Sequence, residues 1–299
     1  MTEHFRQLLA RGRQLLGPLL PKRMRSGIAI VPVVRLSGVI GMSTPLKPGL
    51  TLAGAARMLE RAFSFKRAKA VALVLNSPGG SAVQSHLIFR RIRQLADEKN
   101  LPVIAFVEDV AASGGYMLAC AADEIVCDPS SIVGSIGVIG ASFGFHDAIG
   151  RLGIERRVYT AGEHKSTLDP FLPENPDDVA RLKAIQQEIH ETFIALVKER
   201  RGRNLNGPEN TMFSGEYWTA KTALGYGLID RIGDLSSVLR ERYGKDVLTP
   251  LVQGDRSWFG RPLPGVGRAD IGDMIGRSGL ADELISAIEA RAIWARYGL

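Results

Sequence analysis

The residue best suited to chemistry in this sequence is Ser113, which lies at a predicted tight turn. An apolar run over residues 101–107 precedes it, two glycines follow it, and a short helix-forming run covers residues 117–122. This pattern predicts a strand, a turn and a short helix, with no bulky side chain beside the hydroxyl. Another peptide backbone can therefore approach Ser113, and we interpret this serine as a nucleophile.

A serine hydroxyl is a weak nucleophile, so a base must take its proton. Histidine is the usual base, but no histidine here has a recognisable triad context; the five are His4, His86, His146, His164 and His190. Two of them, His86 and His190, fall inside predicted helices among charged residues and are expected at the surface. The alternative base is a lysine whose pKa is lowered by burial away from carboxylates. Lys165 is the candidate, because it follows a predicted strand and site residues often lie in such loops.

Acyl transfer also needs hydrogen-bond donors for the developing oxyanion. The segment Asn-Ser-Pro-Gly-Gly-Ser at 76–81 lies between a predicted strand and a predicted helix. Its glycines, Gly79 and Gly80, allow a bare backbone N–H to face a substrate carbonyl. A plain strand-to-helix turn explains the same residues equally well, and both interpretations stay open. The segment is not a phosphate-binding loop, since the P-loop and G-x-G-x-x-G patterns are both absent.

The elements that hold these residues alternate between strands and helices. Strands are predicted over residues 28–40, 69–75, 102–107, 123–127, 131–145 (a strand with a turn) and 156–160. Helices are predicted over residues 52–65, 82–99, 147–152, 180–203, 219–226, 235–243 and 281–297. Such alternation predicts an α/β fold with a largely parallel sheet and flanking helices.

Composition limits the remaining function classes. A chain of 299 residues with 45% hydrophobic and 23% charged residues is typical of one large globular domain, or of a domain with extensions. Cys120 and Cys127 match no metal or redox spacing, so we predict two small buried residues and expect neither a metal site nor a disulfide framework. We expect no nucleic-acid partner, no transmembrane helix and no signal peptide.

Residues 1–26 form a predicted basic arm. They contain six arginines and lysines against one glutamate, whereas the rest of the chain is nearly neutral. Their apolar residues fall roughly on one helical face, with arginines elsewhere. The arm fits a helix lying on an anionic membrane surface, but a terminal helix packing on its own domain or on a neighbouring subunit fits somewhat better. The compartment, cytoplasmic or peripherally membrane-associated, stays open.

Four motifs, taken together and in order, resemble the S49 peptidases, the family of signal peptide peptidase A and SohB-like enzymes. They are Asn-Ser-Pro-Gly-Gly at 76–80, Ala-Ser-Gly-Gly-Tyr at 112–116, Gly-Ser-Ile-Gly-Val at 134–138 and Ala-Gly-Glu-His-Lys at 161–165. The resemblance covers residues 28–245 and corresponds to the short form of the family, which has one repeat. The chain then divides into an arm at 1–26, a peptidase domain at 27–245 and a C-terminal extension with a terminal helix at 246–299.

The resemblance implies a serine endopeptidase (EC 3.4.21) with a Ser–Lys dyad and a ClpP/crotonase-type fold. Ser113 matches the family's nucleophile and Lys165 its general base. Ser135 matches the serine that orients that lysine. Gly80 matches the N–H donor of the oxyanion hole, and Gly114 is a candidate for the second donor. No metal and no organic cofactor is implied.

The resemblance also implies partners. Short-form relatives assemble into homo-oligomeric rings or domes, in which the serine and the lysine of one site come from neighbouring subunits. The expected substrates are apolar or unfolded peptides, such as signal-peptide-like remnants or membrane-associated proteins. We expect an apolar groove for them near Val110, Ile136, Val138 and Ile139.

Two other functions stay open on the sequence. An inactive S49-like scaffold at the membrane surface would need the basic arm but no intact motifs. A crotonase-type acyl-CoA enzyme would share the fold, but that class uses glutamates near the acyl carbon and needs no serine or lysine at these motif positions. The presence of all four motifs favours the peptidase.

Overall fold

The computed structural model describes residues 28–41, 49–162, 164–253, 288 and 290–299. The predicted basic arm at 1–26 lies outside the described residues. Most of the predicted helix at 281–297 lies outside them as well, although residues 290–295 are helical. The predicted boundaries between arm, domain and extension therefore stay predictions.

The described strands and helices alternate along the chain. The strands are β1 (Val33–Ser37), β2 (Val71–Ser77), β3 (Val103–Ala112), β4 (Glu124–Cys127), β5 (Ile132–Gly134), β6 (Tyr217–Thr219), β7 (Arg231–Ile232) and β8 (Leu251–Val252). The helices are α1 (Leu52–Phe63), α2 (Ala82–Lys99), α3 (Gly114–Ala119), α4 (His146–Arg151), α5 (Pro176–Arg201), α6 (Glu209–Met212), α7 (Ala220–Gly225) and α8 (Leu235–Tyr243).

All of the described strands belong to one sheet, whose main path runs β6-β5-β3-β2-β1-β8. The pairs are parallel except for β5 with β6. The long strand β3 has two partners on one side, because residues 104–107 pair with β4 and residues 110–112 pair with β5. The end of β3 that leads to Ser113 therefore lies between β2 and β5.

Both faces of the sheet are buried, as is usual for parallel strands flanked by helices. Successive side chains of a strand point to opposite faces, and β2 shows the result. Leu73 and Leu75 join the apolar cluster that contains α1, α2 and α3, whereas Ala72 and Val74 join the cluster that contains α8. Packing on both faces holds β2 and β3 rigidly beneath the turns that follow them.

The predicted fold class is confirmed: the chain has an α/β fold with a largely parallel sheet and flanking helices. One predicted strand is wrong, and another is shorter than predicted. Residues 156–160 have no regular structure and are exposed, and only Ile132–Gly134 is a strand within 131–145. The pattern at 156–160 suits a strand, but no strand of the described chain lies beside it to pair with.

Helix α5 starts four residues before the predicted residue 180, and its first turn explains why. The side chain of Asn175 accepts a hydrogen bond from the Asp177 N–H at 3.0 Å. Pro176 occupies the first helical position, where a missing N–H costs no hydrogen bond. Such a cap adds the first turn to a helix whose apolar pattern begins later.

Cys120 and Cys127 are both buried and free, as predicted. Burial raises the pKa of the Cys120 thiol to about 12, so this thiol is neutral at ordinary pH and is a poor nucleophile. Within the described ranges, no group of three or more His, Cys, Asp and Glu side chains is placed to hold a metal ion. None of the helices described is long and apolar enough to cross a membrane.

Candidate active site

Three turns of the chain meet where β2, β3 and β5 end. Ala112 of β3 pairs with Gly134 of β5, so the next residues, Ser113 and Ser135, are neighbours. The turn at 78–80 follows β2, which lies on the other side of β3. Because the three strands are parallel, all of these residues emerge at the same edge of the sheet. This edge, at the carboxyl ends of the strands, is where α/β folds usually bind their ligands.

Ser113 has a strained backbone, with φ 52° and ψ −123°. Such values are rare for residues with a Cβ atom and occur mostly at functional sites. The Ser113 N–H donates to the carbonyl of Gly134 at 2.8 Å, which fixes the turn against β5. The side chain makes no capping hydrogen bond to α3 and lines the cleft described below. Its hydroxyl is therefore presented to the cleft.

The glycines that follow Ser113 allow close packing around α3. A Cβ atom on Gly114 would lie 2.2 Å from Ser85 Oγ, and one on Gly115 would lie 2.3 Å from the carbonyl oxygen of Ser77. Gly114 is the first residue of α3, so its N–H has no acceptor within the helix. That N–H can donate to an anion in the cleft.

Tyr116, in the same motif, anchors the short helix α3 in the core. Its side chain is fully buried, and its hydroxyl donates to the carbonyl of Leu228 at 2.7 Å. The segment around Leu228 is held in turn by Arg201, which pairs with the carboxylate of Asp230 at 2.8 and 2.9 Å and also donates to the carbonyl of Gly227. These buried contacts hold the helix that carries Ser113 at its start.

Ile40 holds the turn at Gly79 and Gly80. The Ile40 N–H donates to the Gly79 carbonyl at 2.8 Å, and the Ile40 carbonyl accepts from the Ser81 N–H at 2.9 Å. Ile40 uses both of its backbone groups in this parallel bridge, so the N–H of Gly80 points to the opposite side. A Cβ atom on Gly80 would lie 2.2 Å from the Ile40 carbonyl oxygen, and φ is 139°, so the position requires glycine.

Ser135 also has a positive φ, of 53°. Its N–H donates to the carbonyl of Glu216 at 2.6 Å. Its hydroxyl oxygen accepts a hydrogen bond from the Tyr297 hydroxyl at 3.3 Å, and that same hydroxyl lies 3.5 Å from the carbonyl oxygen of Pro78. Burial raises the pKa of Tyr297, so its phenol is neutral and acts as a donor.

A cleft of about 1030 Å³ opens at this edge of the sheet. Four of the five predicted site residues line it: Ser113, Ser135, Gly80 and Gly114. Its other lining residues are mostly apolar, and they include Ile40, Met117, Val138, Ile139, Ile189 and Phe193. Of the residues expected along an apolar groove, Val138 and Ile139 line the cleft, whereas Val110 and Ile136 are fully buried.

Lys165, the fifth predicted site residue, is not among the described residues that line the cleft. It lies in an exposed turn, where its N–H donates to the Gly162 carbonyl at 3.3 Å. The surrounding segment, 139–172, carries exposed apolar side chains; they include Phe143, Leu152, Ile154 and Tyr159, of which Tyr159 is 89% exposed. The described chain therefore assembles the serines and glycines of the site but not its lysine.

Three further residues of the cleft carry no signal in the sequence motifs. His190, which we expected at the surface, is half-buried, lines the cleft and has its Nε2 2.9 Å from the carbonyl oxygen of Ile136. Tyr217 and Tyr297 also line the cleft. All three come from parts of the chain far from Ser113, so only the folded chain brings them to the site.

Comparison with known proteins identifies the family. The model of "Peptidase family S49" matches residues 95–245. A protein of Brucella abortus named "Na(+)/H(+) antiporter NhaA" is 55% identical over 95% of this chain. "Serine protease SPPA, chloroplastic" of Arabidopsis thaliana is 32% identical over 85% of this chain. The chain spans 39% of the length of each of these two relatives, so the transport activity named for the first is not carried over to it.

A solved structure of a membrane-bound stomatin-specific protease is also similar, with 19% identity and a TM-score of 0.43 over 76% of this chain and 93% of that chain. The family model covers half of the sequence. It includes Ser113, Ser135 and Lys165 and their motifs. The chain belongs to peptidase family S49.

Proposed function

We propose that this chain is a serine endopeptidase in which Ser113 is the nucleophile and Lys165 is the general base. One observation carries the proposal: Ser113, at a strained turn, shares a single cleft with Ser135, Gly80 and Gly114. The membership of the peptidase family supplies the reaction class, which is peptide hydrolysis.

The chemistry follows from these groups. The neutral amine of Lys165 takes the proton of Ser113 as Oγ attacks the carbonyl carbon of the peptide. The negative oxygen that forms accepts hydrogen bonds from the N–H groups of Gly80 and Gly114. The C–N bond then breaks, the leaving amine takes the proton from the lysine, and an acyl-enzyme on Ser113 remains. Lys165 next deprotonates water, which attacks the ester, and Ser113 regains its proton as the acid product leaves.

We further propose that Lys165 reaches the cleft from a neighbouring copy of the chain. The lysine lies in an exposed turn outside the cleft of its own chain. The segment around it exposes large apolar side chains, including Phe143 at 80%. Exposed apolar surface of this kind is typical of an interface with another protein. Ser135 lies beside Ser113 in the cleft and is the residue that would receive and orient the incoming amine.

The substrates that fit are apolar or unfolded peptides. The lining of the cleft is mainly aliphatic and aromatic, and both serine hydroxyls lie among these side chains. Clefts of this kind bind ligands mainly through apolar side chains, and a few polar groups fix the orientation of the ligand.

The decisive test is covalent labelling with a fluorophosphonate, combined with cleavage of a denatured protein. Ser113→Ala and Lys165→Ala should each lower the rate of cleavage by at least about a thousandfold, because the nucleophile or its base is lost. Lys245→Ala, which removes an exposed lysine of the same kind, should cleave normally. Normal cleavage by Ser113→Ala or by Lys165→Ala would refute the dyad. Absence of labelling in the wild-type protein would instead favour a scaffold.

A further inference from the structure

Part of the segment 290–299 lies against the cleft. Ile293, Arg296 and Tyr297 all line it, next to Ser113 and Ser135. The ring of Tyr297 packs edge-on against Tyr217, with 5.0 Å between the ring centroids. The Tyr217 hydroxyl donates to the carbonyl of Arg296 at 2.9 Å. The segment is therefore held by both polar and aromatic contacts.

The same segment also makes apolar packing contacts. Tyr297 is only 9% exposed and forms a small cluster with Val110 and Ala112 of β3. Trp294 and Ile132 pack against this cluster. The cluster is separate from the two larger ones that hold the sheet and its helices. The fold therefore has its main cores without this segment.

The hydroxyl of Tyr297 is hydrogen-bonded to Ser135, which has another role in the proposed mechanism. Ser135 Oγ accepts from Tyr297 at 3.3 Å, whereas the mechanism requires Ser135 to orient the amine of Lys165. A neutral phenol cannot act as the base at ordinary pH. The Tyr297 hydroxyl and the amine of Lys165 would therefore compete for the hydroxyl of Ser135.

We propose that residues 290–299 are an autoinhibitory occupant of the cleft, which must leave before Lys165 and a peptide can enter. This inference rests on the proposed function. The chain then has a closed state, with Tyr297 on Ser135, and an open state, with the lysine on Ser135. Observed activity scales with the fraction of molecules in the open state.

Substitutions at Tyr297 in the full chain test the proposal through the rate of fluorophosphonate labelling at Ser113. Tyr297→Phe removes the hydrogen bond to Ser135 and keeps the ring, so labelling should speed up by about twofold to fivefold. Tyr297→Ala removes both, and the increase should be about fivefold to twentyfold. Tyr243→Phe, at the end of α8 and packed against a different apolar cluster, is the matched control and should label at the wild-type rate.

A purely structural role for Tyr297 in the wall of the cleft predicts the opposite change in the labelling rate. If Tyr297 were a fixed part of the active cleft, both substitutions would slow labelling, and that result would overturn the inference. Unchanged rates in both variants would overturn it too. Thermal midpoints of the variants, measured at one protein concentration, identify any loss that arises from unfolding.

A binding measurement separates this inference from the proposed function, because it needs no catalysis. The receptor is the full chain with Ser113→Ala, Trp294→Ala and Tyr297→Ala, in which the internal segment is weakened. The probe is a labelled peptide with the sequence of residues 288–299, followed by fluorescence anisotropy, and its Tyr→Ala version is the control. If the first peptide binds at least about tenfold more tightly than the second, the result supports a specific binding site for the Tyr297 side chain.

The two proposals can then fail separately. Peptide binding without any labelling of the wild-type chain or its Tyr297 variants would refute the peptidase mechanism. It would still support binding of the segment 290–299 at the cleft. Labelling that depends on Ser113 but is not accelerated by Tyr297→Ala, together with no preference between the peptides, would remove the autoinhibitory segment and leave the peptidase.

Discussion

At the scale of single residues, the site is built from backbone conformations that its side chains disfavour. Ser113 and Ser135 are two of the four non-glycine residues with positive φ in the described chain. Each follows the end of a strand, and hydrogen bonds to neighbouring backbone hold it in place. A residue in a sparsely populated region costs about 1–3 kcal/mol and persists only when its surroundings enforce it. At Ser113, the strained conformation directs the hydroxyl into the cleft.

The strain at Ser113 leads to a prediction about stability. Ser113→Gly should be more stable than Ser113→Ala by about 1 kcal/mol, because glycine adopts a φ of 52° without strain even though it gains entropy in the unfolded chain. The measurement is the midpoint of thermal unfolding for both inactive variants. Ser130 is the control, since its φ is not positive and glycine there should be less stable than alanine. If the alanine variant were more stable than the glycine variant at Ser113, as is expected at Ser130, the result would contradict the strain.

At the scale of elements, the position of α3 depends on close contact with α2. Gly114 opens α3, and the space for a Cβ atom there is taken by the Oγ of Ser85 on α2. Ser85 Oγ donates to the Ser81 carbonyl at 2.7 Å, so its position is fixed by its own helix. The turn that carries Ser113 therefore packs directly on the helix that follows the Gly79 and Gly80 turn.

This contact predicts a coupling between two substitutions. Gly114→Ala should lower the free energy of unfolding by about 1–3 kcal/mol through overpacking. Adding Ser85→Ala should restore about 1 kcal/mol, because it removes the nearest atom of the clash. Gly115→Ala is the control: its Cβ would meet the Ser77 backbone at 2.3 Å, so Ser85→Ala should not rescue it. Equal rescue of both glycine variants would rule out a specific contact between the two helices.

At the scale of the whole molecule, the residues proposed for the site lie in two regions of the chain. The serines and the oxyanion glycines lie on the packed edge of the sheet, whereas Lys165 lies in the exposed segment that carries Phe143 and Tyr159. A surface helix or loop with so many exposed apolar groups is unusual for an isolated chain. The proposed function accordingly puts Lys165 at an interface between copies of the chain.

Mixing of inactive variants tests this arrangement. Ser113→Ala and Lys165→Ala should each be inactive alone, but a co-expressed mixture should recover about a quarter of wild-type cleavage. In the mixture, a subunit with Lys165→Ala can supply the serine of a site, and a neighbouring subunit with Ser113→Ala can supply its lysine. Sites built within one chain would give no recovery. The mixture of Ser113→Ala with Ser135→Ala is the control: neither chain supplies both serines, so it should cleave no faster than Ser135→Ala alone.

The sequence by itself determined the α/β fold, the helix at Ala82–Lys99 and five site residues, of which the cleft brings four together. These follow from local rules: hydrophobic period, turn chemistry at glycines and the order of short motifs. The tertiary structure alone decided that Tyr297 bonds to Ser135, that His190 is half-buried and that Lys165 lies outside the cleft. No local pattern encodes such pairings, because they depend on which distant surfaces pack together. The same reason explains the missing strand at 156–160, whose pattern suits a strand but which has no neighbour to pair with in the described sheet.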